Sequence, residues 1–199
     1  MRMIRGAALI AGFVISVTPL AAQHTPRGLV EVSNGARGGL WASLGVGAGG
    51  EAFDLRDGLG YSDQLYRPTV SFALGGTVNS ALRLGGEALV WINDRGRTTE
   101  TLSSFLLVTQ LYPAGNAGLY LKGGVGLGRN AVRVDGFDDV GDTGFAGLVG
   151  AGYELPLGQH VFLVPRADFV QHWYNERGNG GYRERLLNFG IGLVFQTGR

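Results

Sequence analysis

Large apolar residues recur at every second position through most of this chain. The clearest run is Leu187, Phe189, Ile191, Leu193 and Phe195, interleaved with Asn188, Gly190, Gly192 and Val194. A period of two is the signature of a strand with one greasy face and one small or polar face. Eight such segments can be marked. The first covers 38–52, with Leu40, Leu44 and Val46 opposite Trp41, Ser43, Gly45 and Gly47. The second (67–78) sets Val70, Phe72 and Leu74 against Thr69, Ser71 and Ala73. The third (81–93) sets Leu84, Ala88, Val90 and Ile92 against Arg83, Glu87, Leu89 and Trp91. The fourth (98–112) is apolar on both faces through Phe105-Leu-Leu-Val108, so its register stays open. The fifth, sixth and seventh cover 117–130, 143–155 and 160–173, and the eighth is the C-terminal run. No helical segment or second sheet is available to cover eight greasy faces. A bilayer can cover them, which predicts an all-β, eight-stranded antiparallel up-and-down transmembrane barrel.

The connections sharpen this. Asn79-Ser80, Pro113–Asn116 and Pro156–Gly158 are short turns, whereas 53–66, 93–98, 131–142 and 174–182 are longer and polar. Bacterial barrels place short turns in the periplasm and longer loops outside. An even strand number then leaves both termini in the periplasm. A soluble lipocalin-type barrel would carry the opposite pattern, with its polar face outward.

Composition changes the picture in three places. Glycine makes up 36 of 199 residues, without a collagen period and mostly inside apolar runs, so it reads as tight curvature and close approach in a barrel. Acidic and basic residues nearly balance and the basic ones are scattered, which excludes a nucleic-acid footprint. Cysteine is absent, so neither disulfides nor thiolate chemistry is available. Arg2 and Arg5, the apolar run 6–17 and Leu20-Ala21-Ala22 read as a signal peptide over 1–22. Residues 23–37 then form a polar lead-in, and 38–199 the barrel domain.

The chain resembles the small bacterial outer-membrane β-barrel family, with its OmpA-like and OmpX-like members, over roughly 38–196. The likeness rests on the strand pattern and on Asn188-x-Gly190-x-x-Leu193-x-Phe195, which looks like the signal read by the barrel assembly machinery. Here Gln-Thr-Gly-Arg199 follows Phe195, where many members end on the aromatic. The resemblance implies a monomer in contact with outer-membrane lipids and lipopolysaccharide, without a cofactor or metal.

Four groups could carry chemistry. Arg83, Glu87, Lys122, Arg166 and Asp168 share the lumen-facing parity and are expected to pair there, as a structural plug or as the gate of a narrow pore. His172-Trp-Tyr-Asn175 with Glu184 has a passing likeness to the His-x-Ser-Asn motif of lipid A deacylases. Tyr174 stands where the nucleophile should be, so the acyl-transfer pair is missing. Asp135, Asp138, Asp139 and Asp142 do not match calcium-loop spacing and read as a solvated acidic loop. Tyr112, Tyr153 and Phe195 are expected at one membrane interface, and Tyr66, Trp173 and Tyr174 at the other. The function expected is structural or surface interaction without catalysis. A narrow pore is the alternative, and a lipid A enzyme the remote one.

Overall fold

Period-two segments become strands when every second side chain has the same environment, and this chain follows that rule around a closed ring. The computed structural model describes residues 37–55, 60–114, 118–175 and 181–198. The expected signal peptide and nearly all of the lead-in fall outside these residues. The strands are β1 (Gly38–Asp54), β2 (Leu65–Asn79), β3 (Leu82–Asp94), β4 (Thr98–Leu111), β5 (Leu119–Val134), β6 (Val140–Tyr153), β7 (Leu155–Pro156), β8 (Val161–Tyr174) and β9 (Tyr182–Gly198). β7 is a two-residue stretch beside the start of β8, so eight long strands form the wall. Each pairs antiparallel with its chain neighbours, β1 pairs β9, and β6 pairs β8. The ring therefore closes, leaving no long unpaired edge.

Exposure alternates residue by residue. In β1, Leu40, Leu44 and Val46 are 57–66% exposed, while Trp41 and Ser43 between them are buried. β9 repeats this, with Phe189, Ile191, Leu193 and Phe195 outside and Asn188 and Val194 inside. The inside-out arrangement predicted from the sequence is thus the arrangement of the molecule. Burying such a wall in water would need a second layer, and among the described residues none exists.

β4 is settled by its partners. Phe105, Leu107 and Leu111 point outward, and Leu102, Ser104, Leu106, Val108 and Gln110 point inward. Its two apolar faces have different covers: lipid on one side and an apolar layer of the lumen on the other.

Loop lengths depart from the sequence expectation. The stretch expected as a loop over 131–142 is mostly hairpin, because Ala131↔Gly141 and Val132↔Val140 stay in register. The reversal needs only 135–139, with Gly136 at φ 85°. The 93–98 loop likewise tightens to a turn, in which Gly96 donates its N–H to Asp94 Oδ1 at 2.9 Å. Strands of 13–17 residues run about 40–55 Å at ~3.3 Å per residue. Even tilted they outreach the ~25 Å apolar band of such barrels, so the hairpins stand clear of it.

Candidate functional site

The lumen holds the chain's buried polar chemistry, stacked in layers. At mid-height, β5 delivers Lys122 between two carboxylates. Its Nζ lies 3.0 and 2.9 Å from the two oxygens of Glu87 on β3. It is also 2.8 Å from Asp168 Oδ1 on β8, an ion contact without hydrogen-bond alignment. Arg166 approaches the same pair more loosely, 3.6 Å from Glu87 and 3.6 Å from Asp168, and bonds the Ser71 hydroxyl. Two cations face two anions with side chains 0–6% exposed, so the layer is neutral as a unit. That is the condition under which buried charges are tolerated.

Arg83 does not join this group, although it shares the parity. It lies nearer the short-turn end, where its Nη1 donates to Glu154 Oε1 at 2.5 Å and to the Tyr112 hydroxyl at 2.8 Å. Its Nη2 donates to Gln196 Oε1 at 2.5 Å. Arg37 closes the cluster from below, with Nε 3.2 Å from Glu154 and its guanidinium 3.8 Å above the Tyr112 ring. Glu154 and Gln196 were not legible as lumen groups, because both sit at strand ends where parity is hard to extend.

On the other side of the ion pairs, Leu89, Trp91, Leu102, Val170 and Leu186 fill the lumen, each no more than 1% exposed. Among them His172 and Ser104 meet: Ser104, opposite Leu89 in register, has its Oγ 2.9 Å from His172 Nε2. The sequence motif lacked a hydroxyl beside this histidine, and the fold supplies one from 68 residues away. Nucleophilic catalysis also needs an oriented base and access for substrate. Among the described residues His172 Nδ1 has no hydrogen-bond partner, and the two residues are at most 1% exposed. Glu184 lies opposite His172 in register, but its Oε1 accepts from Asn130 Nδ2 at 2.5 Å. Trp173 points outward and Asn175 lies past the strand end, so the four-residue motif is split between two sides of the wall.

The four aspartates at the β5–β6 tip also separate. Asp139 forms a two-pronged bond with Arg133, at 2.9–3.2 Å. This hydrogen bond holds the Asp139 carboxyl below its ordinary range. Asp142 accepts from the Tyr182 hydroxyl at 3.1 Å. Among the described residues no group of three or more His, Cys, Asp or Glu is placed to hold a metal.

With this geometry the sequence family can be read. The model of the outer membrane protein β-barrel domain matches residues 7–195. The chain belongs to that family. Two solved barrels show the same fold. The attachment invasion locus protein Ail of Yersinia pestis superposes with a TM-score of 0.54 at 12% identity, over 80% of this chain and 99% of Ail. Neisserial surface protein A does so with a TM-score of 0.52 at 17% identity, over 78% and 97%. No curated protein matches the chain in sequence.

In a bacterial outer membrane the wall residues acquire their meaning. Tyr66 and Trp173 face outward near the long-loop end, with Trp173 resting 5.6 Å from the Phe145 ring. Tyr153 and Phe195 face outward near the short-turn end. Tyr112 and Tyr174 do not belong to the girdle. Both are 1% exposed and point inward, where Tyr112 serves Arg83 and Tyr174 stacks on Tyr182 at 4.6 Å. Of the expected assembly signal, Leu193 and Phe195 face lipid. Asn188 is buried and bonded to Thr69 Oγ1 at 2.6 Å, and Gly190 lies opposite Gly47.

Proposed function

We propose that this chain is a monomeric, non-conducting and non-enzymatic outer-membrane barrel. Its work is to present the long hairpins at one end to the envelope or to external partners. The first and last described residues, Arg37 and Gly198, lie at the short-turn end, which this reading places in the periplasm. The observation that carries it is the filled lumen. Three successive layers occupy the bore: the Arg83–Glu154 cluster, the neutral Lys122 layer, and the apolar plug of Leu89, Trp91 and Leu102. Opening a path for ions would require breaking a paired charge layer and displacing tryptophan together. An eight-stranded barrel has a bore only wide enough for its side chains.

A conducting lumen is the second reading. Arg166, at 3.6 Å from both carboxylates, is paired less tightly than Lys122. Planar-bilayer recording separates the two. The filled barrel gives no reproducible conductance steps; steps that change with Glu87→Ala or Arg166→Ala would overturn it. The buried Ser104–His172 pair supports no catalysis in this reading. Release of fatty acid from lipid A that disappears in His172→Ala would show otherwise. Placement has its own check: the chain folded in detergent should shift its gel mobility on boiling, and solubility without detergent would sink the membrane assignment.

A further inference from the structure

Four strand-borne arginines point away from the barrel axis near its long-loop end: Arg129 and Arg133 on β5, and Arg183 and Arg185 on β9. Three are engaged by the protein. Arg133 is bonded to Asp139, Arg183 to Asp54, and the Arg185 guanidinium lies 4.2 Å above the Tyr61 ring. Arg129 has no hydrogen bond or ion pair among the described residues, and Asp139, which feels it through space, is already taken by Arg133.

Its surroundings are specific. Arg129 pairs across the sheet with Ser103 on β4 and with Thr143 on β6, so a hydroxyl-bearing residue stands on either side of it on the same face. Facing side chains in such pairs stand about 5 Å apart, close enough to share one small anion. The outward row directly below is Phe105, Leu127 and Phe145, each more than 50% exposed. The outward row above is Thr101, Ala131 and Gly141, small residues that leave a shelf. Arg129 therefore sits where the apolar band ends, about 7 Å above its last aromatic row. An arginine on the lipid face costs ~2–4 kcal/mol at the midplane but ~0–1 near the interface. Its planar fork suits phosphate oxygens better than any other side chain does.

We propose that Arg129, flanked by Ser103 and Thr143, binds a phosphate on the headgroup of a surrounding outer-leaflet glycolipid, with the sugar resting on the Thr101–Ala131–Gly141 shelf. This rests on the reading that the long-loop end faces outward. It does not depend on whether the lumen conducts.

The test uses the full folded barrel in phosphatidylcholine nanodiscs, titrated with bisphosphorylated lipid A, dephosphorylated lipid A or phosphatidylglycerol. The expected result is preferential binding of bisphosphorylated lipid A. Arg129→Gln should weaken it about tenfold, the scale of one hydrogen bond to a charged group. Arg129→Lys should retain part of it, and Arg133→Gln most of it. Equal binding of the dephosphorylated lipid, or an unchanged Arg129→Gln, overturns the proposal. Phosphatidylglycerol binding as well as lipid A at Arg129 would keep the phosphate site and refute the glycolipid source. Each variant is first shown to be heat-modifiable on a gel, which separates loss of binding from loss of fold. Lipid A binding with bilayer conductance would defeat the filled-lumen reading and leave this one standing.

Discussion

Lys122→Met tests the lumen most directly. Methionine keeps the length of the stem and removes the charge. Three carboxylate oxygens then lose a cation that stood within 3.0 Å of each. Glu87 and Asp168 remain, 1% and 0% exposed at their side chains, with Arg166 as the only guanidinium among the described residues in ion-pair range, at 3.6 Å. Removing one partner of a buried pair costs about 3–5 kcal/mol, because the other charge is left uncompensated. Arg166 can move closer, so the lower end, about 3 kcal/mol, is the expected loss. With a urea slope of ~1–3 kcal/mol per molar, the unfolding midpoint in liposomes falls by about 1–3 M. Fluorescence of Trp41 and Trp91, both lumen residues, reports the transition. Lys122→Met with Asp168→Asn restores one positive charge against one negative charge, and the double variant should be more stable than the sum of the single effects predicts. The coupling should reach about 1–3 kcal/mol, as for groups in one network. Additive effects, or a Lys122→Met midpoint within about 0.3 M of the parent, would refute the claim that these charges form one neutral layer.

Two glycines distinguish the inside of the wall from the outside. A Cβ at Gly128 would run into the His172 ring, whereas one at Gly123, on the lipid face, meets none of the described residues within 4 Å. Gly128→Ala should cost about 1–3 kcal/mol by overpacking. Gly123→Ala should be close to neutral in the same urea titration; equal losses would argue for a roomy lumen. At the β5–β6 tip, the Arg133 bond lowers the Asp139 pKa. A depressed carboxylate pKa means the contact adds stability above the range where an unfolded aspartate titrates, and that this is lost as pH falls through the lowered value. Carboxyl NMR should show Asp139 titrating higher in Arg133→Gln, and an unmoved titration would discount the bond. Phe195→Ser should lower the amount of heat-modifiable barrel in cells while leaving refolding into liposomes nearly intact. An equal loss in both would make Phe195 a packing residue with no part in recognition by the assembly machinery.

What the sequence showed well was parity. Leu187 to Phe195 alternates without a break, and every other long strand except β4 could be placed the same way. β4 resisted because its lumen face is largely apolar. Leu102, Leu106 and Val108 point inward into an apolar layer, so both faces of the strand are greasy and a period of two disappears. Tyr112 and Tyr174 misled for a related reason: an aromatic near a strand end suits either a membrane interface or a lumen plug, and a shift of one residue decides which. Arg83 shared the parity of Glu87 but not its height, which depends on strand stagger around the ring. The Ser104–His172 contact could not be read at all, because it joins β4 to β8 across the bore.

The close approach that the abundance of glycine implied takes a specific form in the lumen. A lumen-facing glycine taken by itself looks like empty space. In the folded barrel several such glycines are where a neighbour's side chain goes. Trp41 packs over Gly85, Trp91 over Gly49, Tyr120 over Gly152 and His172 over Gly128, so a Cβ at any of these would meet a ring. Gly45 does the same for Arg166, whose guanidinium would lie 3.1 Å from such a Cβ. A bore this narrow can hold tryptophans and ion pairs only if the wall facing each of them is bare. The glycines therefore mark occupancy rather than vacancy. A count of small inward residues, taken without asking what stands across the lumen from each, would predict a channel from the same features that fill it.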